Sequence, residues 1–579
     1  MRKISKEKTE DKNMRKDRKK KGRISPVLVV VLLIVLIAAA GVVSFLVQRY
    51  TPSRVQMDRN AYFQVTGDTE AALVLNGSIC EEKGVMIQGE LYASSTFVSQ
   101  QLNSAFYWDQ ESQAILLTIP AGVMRIAPGD ATYSTAQGQP AVQTGADGTV
   151  YIAMEYVQQY TDMDYAFYTE PNRAVMRTEW DGLSQVEVTA DESVVRYRGG
   201  IKSDILTGVS GGDPLYYLES LENWVHVMTQ DGYTGYIEKE DVSEAQEAPV
   251  HVQDASLIFT GIRRDYKINL AWHQTTSQEA NAAFGSVTAN MKGVNVISPT
   301  WFSVLDNTGT LSSLASADYV NQAHAAGLEV WGLIDNFNEN FSTETALASY
   351  SVRTNIINQL IFAAQQTGLD GINVDFEQLT EASIPHYIQF LRELSAAAHG
   401  VNLVVSVDTA VPQSFTEYYN RGEQAKTVDY MIMMGYDEHY AGSEEAGSVA
   451  SLPFVEAGIQ TMLEDIPADK IICAIPFYTR LWTETFGQVG VTSEVLGMDG
   501  ADQYVAQLGM TKTWDASVGQ NVAMAETDTA RYTIWMEDEQ SIEEKMKLIA
   551  NYGLAGVAEW KLGFERATVW DIIAKYIAQ

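Results

Sequence analysis

From about residue 262 onward, short apolar runs alternate with helical stretches eight times, and this repetition limits the possible folds more than any other feature of the chain. The runs are Lys267–Trp272, Val294–Pro299, Glu329–Ile334, Gly371–Glu377, Leu403–Asp408, Tyr430–Tyr436, Ile471–Phe477 and Ala555–Trp560. Near-continuous apolar strands separated by helices make parallel sheets covered by helices. Eight such units predict an α/β fold closed as a (β/α)8 TIM barrel, with its active site at the carboxyl ends of the strands. The interval between the last two strands, Thr483 to about Asn551, is too long for one connection. It predicts a small insertion ahead of a helix near Ser541–Ala550.

The fourth run departs from its apolar neighbours by carrying polar side chains at alternate positions. Successive strand side chains point to opposite faces, so Asn373, Asp375 and Glu377 share one face and Ile372, Val374 and Phe376 the other. An apolar outer face with a polar inner face fits a barrel interior. Two carboxylates and an amide buried together must hydrogen-bond one another. Such a cluster reads either as a structural polar network or as a site where a carboxyl pKa is raised for acid catalysis. Glu377 lies at the end of the strand, where barrel enzymes place their chemistry.

Asp370-Gly371-Ile372-Asn373-Val374-Asp375-Phe376-Glu377 resembles the DGxDxDxE signature of family 18 glycoside hydrolases, on the fourth strand as in that family. Met434-Gly435-Tyr436-Asp437 resembles the MxYD motif that ends the sixth strand, and Trp560 ends the eighth, where the family has the floor of its sugar pocket. Ile475-Pro476-Phe477-Tyr478 with Trp482 resembles the cell-wall and spore-wall branch. The resemblance covers about residues 260–579. It implies that the substrate's own 2-acetamido oxygen is the nucleophile, with Glu377 as general acid and then base. It further implies that Asp375 orients the acetamido N–H, Tyr436 holds its oxygen, Asp437 and Tyr478 support the sugar site, and Trp560 stacks beneath the ring.

There are two departures from the family pattern. Asn373 stands where many members have the first Asp of DxDxE. Its amide is expected to hydrogen-bond Asp375 without titrating, giving a different pH dependence. The third strand, Trp331-Gly332-Leu333-Ile334-Asp335-Asn336, lacks the Ser-x-Gly-Gly of many chitinases, which weakens a chitinase reading more than a hydrolase one. Trp301, Phe302, Trp331, Tyr478 and Trp482 are candidate sugar platforms, of which two are expected to meet substrate and the rest to be core. With seven His and two Cys and no paired CxxC or HExxH, no metal site and no cofactor are expected.

Residues 1–23 hold 12 of the 40 Lys and Arg but 4 of the 74 Asp and Glu, so the remaining residues carry 28 against 70. A body that acidic excludes nucleic acid as a partner. The basic head precedes Pro26–Val47, 22 residues without a charge, enough to span a bilayer with the head in the cytoplasm and the rest outside. Ala38-Ala39-Ala40 leaves a cleaved signal peptide as the rival reading. The expected order is a cytoplasmic head (1–23), a transmembrane anchor (24–48), a tether (49–65), a stalk of two repeats (66–180), a β-rich module (183–245), a linker (246–257) and the barrel (258–579).

The stalk repeats pair Leu91-Tyr92-Ala93, Phe97-Val98 and Ala105-Phe106-Tyr107 with Val150-Tyr151-Ile152, Tyr156-Val157 and Ala166-Phe167-Tyr168. Each reads as a strand, a short helix and a hairpin. The pattern resembles the small N-terminal domain of some copper amine oxidases. The β-rich module, with Trp224-Val225-His226-Val227 and a hairpin signal at Asp231-Gly232, resembles bacterial Src-homology-3-type modules, Trp224 and Tyr236 being either core or ligand contacts. A membrane-tethered enzyme acting outside the cell has peptidoglycan within reach, and cleavage after N-acetylglucosamine is expected. Chitin, another acetamido glycan, or a barrel that binds glycan without cutting it are the alternatives.

Overall fold

The computed structural model describes residues 25–578, so the expected basic head, residues 1–23, lies outside the described residues. Helix α1 (Pro26–Tyr50) is long and apolar enough to cross a membrane, with Pro26 in its first turn and none of its residues buried. Beyond it the chain forms two compact units. One comprises residues up to Glu81 together with Tyr165–His251, and the other comprises Glu82–Asp164 together with Val252 onward. The expected stalk, 66–180, is therefore divided between the two units rather than standing as one body, and the expected barrel boundary at 258 leaves out part of the unit that contains the barrel.

In the first unit, strands Glu192–Arg196, Ile205–Ser210, Pro214–Ser220, Trp224–Met228 and Thr234–Glu238 belong to a single antiparallel sheet. Its alternate apolar residues Val195, Leu206, Leu215, Val225 and Ile237 are buried together. The turn between the last two strands places Gly232 at φ 90°, a left-handed conformation that glycine adopts without strain. Trp224 and Tyr236 are half-buried, and His226 stacks on Tyr236 with ring centroids 4.4 Å apart.

The second unit contains the barrel. Its strands are β1 (Ile268–His273), β2 (Val296–Val304), β3 (Glu329–Asp335), β4 (Gly371–Asp375), β5 (Val404–Ala410), β6 (Tyr430–Met434), β7 (Ile471–Pro476) and β8 (Gly556–Trp560). Each pairs in parallel with its sequence neighbour, and β8 pairs with β1, which closes the sheet. Ile372, Val374, Val405, Val407, Met431 and Cys473 point outward into one apolar cluster with the surrounding helices, whereas Leu270, Trp272, Trp331, Leu333 and Ile432 fill the interior. Gly371 opens β4 because a Cβ there would lie 2.7 Å from the Trp331 ring and 3.0 Å from the Val404 carbonyl oxygen.

Helix α2 (Tyr350–Thr367) leads into β4 and α3 (Ile384–His399) leads out of it. The Ser349 hydroxyl caps α2 by accepting from the Val352 N–H, and Gly368 at φ 80° ends it. Residues 106–126 of the same unit form a three-stranded sheet whose Asp109 carboxylate accepts from Arg353 of α2 at 3.0 Å. Arg353 also donates to both oxygens of Glu393 of α3 at 3.0 Å, and Arg353 and Asp109 are fully buried. Beside them Arg392 meets the Ser104 hydroxyl and Glu423. Between β7 and β8 the expected insertion is present: a five-stranded antiparallel sheet spanning Tyr478–Met536 with one helix, followed by α4 (Glu539–Asn551).

Candidate active site

The strand expected to run through Glu377 ends at Asp375. Its continuation is held by a side chain in place of a neighbouring strand. The Asn336 amide oxygen accepts from the Glu377 N–H at 2.9 Å, and its NH2 donates to the Glu377 carbonyl at 2.8 Å. Gln378 then turns at φ 52°. The sixth strand behaves alike, ending at Met434 rather than Tyr436, with Asp437 at φ 60°. Both expected catalytic motifs therefore leave the sheet just where the cleft opens. Loops on a rigid sheet are where barrel enzymes carry their reacting groups.

Glu377 lies between two clefts. One, of about 480 Å³, is lined by Asp408, Tyr387, Tyr436, Asp437, Phe415 and Tyr440 as well as Glu377. The other, of about 590 Å³, is lined by Asn336, Phe337, Glu344 and Glu377. Burial, then the Asp437 and Asp335 charges, raises the Glu377 carboxyl above its ordinary range. Asp375 is buried beneath it, and burial followed by the Glu377 and Asp335 charges holds its carboxyl well above the usual value. Burial likewise pushes the Tyr436 hydroxyl up, so it stays a neutral donor. Trp560 is half-buried at the end of β8, its ring edge-on to Trp272 at 5.8 Å.

Three expectations change. Asn373 does not meet Asp375 or the cleft. It is fully buried; its oxygen accepts from Trp272 Nε1 at 2.9 Å and Ser298 Oγ at 3.2 Å, and its NH2 donates to Asp408 at 2.7 Å and Ser406 at 3.1 Å. Tyr478 is 5 % exposed and donates its hydroxyl to Asp437 at 2.5 Å, so it holds a cleft residue instead of lining the cleft. The five platform candidates Trp301, Phe302, Trp331, Tyr478 and Trp482 are all buried. Trp301 Nε1 donates to Asn281, Trp482 Nε1 donates to the Gly447 carbonyl, and Trp331 stacks on Tyr430 at the opposite end of the barrel. Exposed rings lie in the loops: Phe337 at 55 %, Phe415 at 74 % and Tyr440 at 55 %.

The reading from sequence missed Asp335, Asn336, Tyr387 and Asp408. Asp335 ends β3, accepts from Ser303 Oγ at 2.8 Å, and is raised by burial. Asp408, near the end of β5, is 4 % exposed. A polar residue closing an apolar run, as in Ile334-Asp335-Asn336 and Val407-Asp408, was the available signal.

Comparison with known proteins bears on the same region. Residues 335–565 match the model of glycosyl hydrolases family 18. The uncharacterized glycosylase YvbX of Bacillus subtilis (strain 168) is 24% identical over 307 residues, 51% of this chain and 88% of that protein. The cortical fragment-lytic enzyme of the same organism is 27% identical over 250 residues, 41% of this chain and 57% of that enzyme, so the chain spans little more than half of its length. The crystal structure of the C-terminal domain of a "putative chitinase" from Desulfitobacterium hafniense DCB-2 superposes with a TM-score of 0.50 at 22% identity, covering 54% of this chain and 100% of that one, a likeness of fold. Residues 335–565 are thus similar to family 18 glycosyl hydrolases, and the barrel shares the fold of the Desulfitobacterium domain.

Proposed function

We propose that this chain hydrolyses the β-1,4 bond after N-acetylglucosamine in peptidoglycan, by a retaining mechanism in which the substrate's acetamido group is the nucleophile. The observation that carries the reading is a general-acid candidate, Glu377, held open to two clefts with its carboxyl raised by burial and by two neighbouring acids. A carboxyl raised above its ordinary range is better matched to protonating a leaving glycosidic oxygen.

Glu377 donates its proton to that oxygen as the acetamido oxygen attacks the anomeric carbon. Asp375 accepts a hydrogen bond from the acetamido N–H and offsets the positive charge of the oxazolinium ring. Tyr436 donates its hydroxyl to the acetamido oxygen, Tyr478 fixes Asp437 beside the sugar, and Trp560 packs beneath the ring. Water then attacks the anomeric carbon, Glu377 takes its proton, and the product keeps its anomeric configuration. No metal or cofactor enters these steps. Phe337 on one side of Glu377, and Phe415 and Tyr440 on the other, are sugar platforms for a strand that crosses both clefts.

In this reading α1 anchors the protein in the cell membrane as a single pass, with everything after it outside the cytoplasm. Residues 183–245 act as a Src-homology-3-type module. The name of the cortical fragment-lytic relative favours wall glycan over chitin. Chitin or another acetamido glycan is the second reading, favoured by the chitinase-like fold neighbour.

The test is to incubate the protein and its Glu377→Gln variant with purified peptidoglycan and to identify the new reducing ends by mass spectrometry. Glu377-dependent N-acetylglucosamine ends are the expected result. Muramic acid ends, or cleavage that survives the substitution, would overturn the reading.

A further inference from the structure

We propose that Asp408 is a positioning residue that shares a proton with Asp375, supplying from the neighbouring strand the carboxylate that position 373 lacks. This deepens the hydrolase reading above and rests on it.

Strand register places the groups. Asp335 of β3 lies opposite Asp375 of β4. On the other side Asn373 lies opposite Ser406 and Val374 opposite Val407, so the next residues up, Asp375 and Asp408, are neighbours across β4 and β5. Three aspartates thus stand at one level of the barrel interior on adjacent strands, which are spaced by about 4.8 Å. Asp375 is 7 % and Asp408 4 % exposed, and among the described residues no ion pair includes any of the three. Buried carboxylates that close together with no cation cannot all ionise. At least one proton stays in the row.

Hydrogen bonding says where. Asp375 Oδ1 is buried and meets no N–H or O–H donor of the chain. Asp408 Oδ1 accepts from the Asn373 NH2 at 2.7 Å, and that amide cannot flip, because its own oxygen is already held by Trp272 Nε1 and Ser298 Oγ. With Oδ1 fixed as an acceptor, the other oxygen of Asp408 carries the proton and donates it toward Asp375. Asp375 then remains the anion, one oxygen held by Asp408 and the other free for the acetamido N–H. No proton leaves the pair during the reaction. Burial, then the Asp375 charge, also pushes the Asp408 carboxyl well above the ordinary range.

The remaining groups around the pair offer one rival. Glu377 stands above it, and Tyr436, whose hydroxyl serves the acetamido oxygen, faces it from the end of β6. Arg421 is turned away, donating to Thr409 Oγ1 and the Ala410 carbonyl. Tyr387 of α3 is buried with an unpartnered hydroxyl and lines the same cleft, so with Tyr436 committed to the acetamido group it is the rival donor to Asp375.

The experiment measures kcat and KM against pH on purified peptidoglycan for the full chain and for Asp408→Leu, Asp408→Asn, Tyr387→Phe and Glu377→Gln. Asp408→Leu removes the donor and is expected to lower kcat about 100-fold, the scale of a lost proton-holding group. Asp408→Asn keeps a donor that cannot titrate, so its kcat is expected to stay at least tenfold above that of the Leu variant. Its basic limb should fall with the loss of one proton, where the wild-type limb falls with two. If the Leu variant does not fold, this change in the basic limb decides the matter. A two-proton limb retained in Asp408→Asn, wild-type kcat in Asp408→Leu, or a loss in Tyr387→Phe as large as in Asp408→Leu would overturn the proposal while leaving the hydrolase reading intact. Undiminished cleavage by Glu377→Gln would instead remove the reading on which it rests.

Discussion

Two regions of the second unit gather acidic side chains, one among cations and one without them. On the outer flank of α2 and α3, Asp109 and Glu393 are matched by Arg353, and Glu423 by Arg392 and Lys426. At the carboxyl end of the barrel, Asp335, Asp375, Asp408 and Glu377 converge without a cation among the described residues. Burial alone raises the cost of charge in both places. In the flank the guanidinium and ammonium groups outweigh it at Glu423, which falls to about 2 although burial pushes it up, whereas at Glu393 burial exceeds the Arg353 attraction and the carboxyl stays raised. In the barrel nothing outweighs it, and the acids are pushed up together. Whether a carboxyl holds a proton is therefore decided by its depth and the sign of its neighbours together.

The contrast is broken most severely by removing the raised acid itself. Glu377→Gln should lower kcat/KM on glycan by about 10³-fold, within the range for a lost general acid, with unfolding by denaturant unchanged. A loss of stability comparable to the loss of activity would make Glu377 structural instead. The flank should answer in the reverse sense. Asp109→Ala leaves a buried guanidinium short of one partner and should destabilise the second unit by about 3 kcal/mol, read from denaturant midpoints, with kcat per folded molecule retained.

Acid sharpens the comparison. Because Glu423 is depressed to about 2 in the folded protein, its stabilising pairs are fully present above its ordinary value of 4.5 and are lost as pH falls through that interval. Wild type should be more stable than Glu423→Gln at pH 6, with the gap closing toward pH 2; a gap that persists at pH 2 would show that charge is not its source. The smallest effect concerns a single neighbour. Burial raises Glu377 most and the Asp437 charge next, so Asp437→Asn should lower the Glu377 pKa and move the basic limb of activity to lower pH. A limb that stays in place would mean that the two carboxyls do not sense each other.

Much of the barrel was legible from residues, because apolar runs such as Val404-Val405 and Met431-Ile432 are long, flanked by helices and repeated. The face of β4 was legible too, since alternation alone assigns Asn373 and Asp375 inward. Local pattern could not place the strand ends. Glu377 leaves the sheet because Asn336, forty-one positions earlier, takes over its backbone hydrogen bonds, and no rule of spacing carries such a pairing. Nor could composition tell a ring that packs from a ring that waits for sugar. Trp301 and Trp482 satisfy their indole N–H groups inside the protein, whereas Phe415 has no polar atom to satisfy and stays in the open. The partner of Asn373 was misjudged for a like reason, because its neighbour across the strands, Asp408, is remote in sequence.

The link from Asp109 to Arg353 also bears on how this barrel can be inherited or transplanted. A cut at residue 258, where the pattern of strands and helices first becomes regular, would leave Arg353 and Arg392 without the Asp109 and Ser104 groups that close over them. The heritable cassette is thus discontinuous: residues 82–164 must travel with 252–579, however much chain lies between them. A lineage that exchanged the segment before the barrel would have to replace those two arginines at the same time.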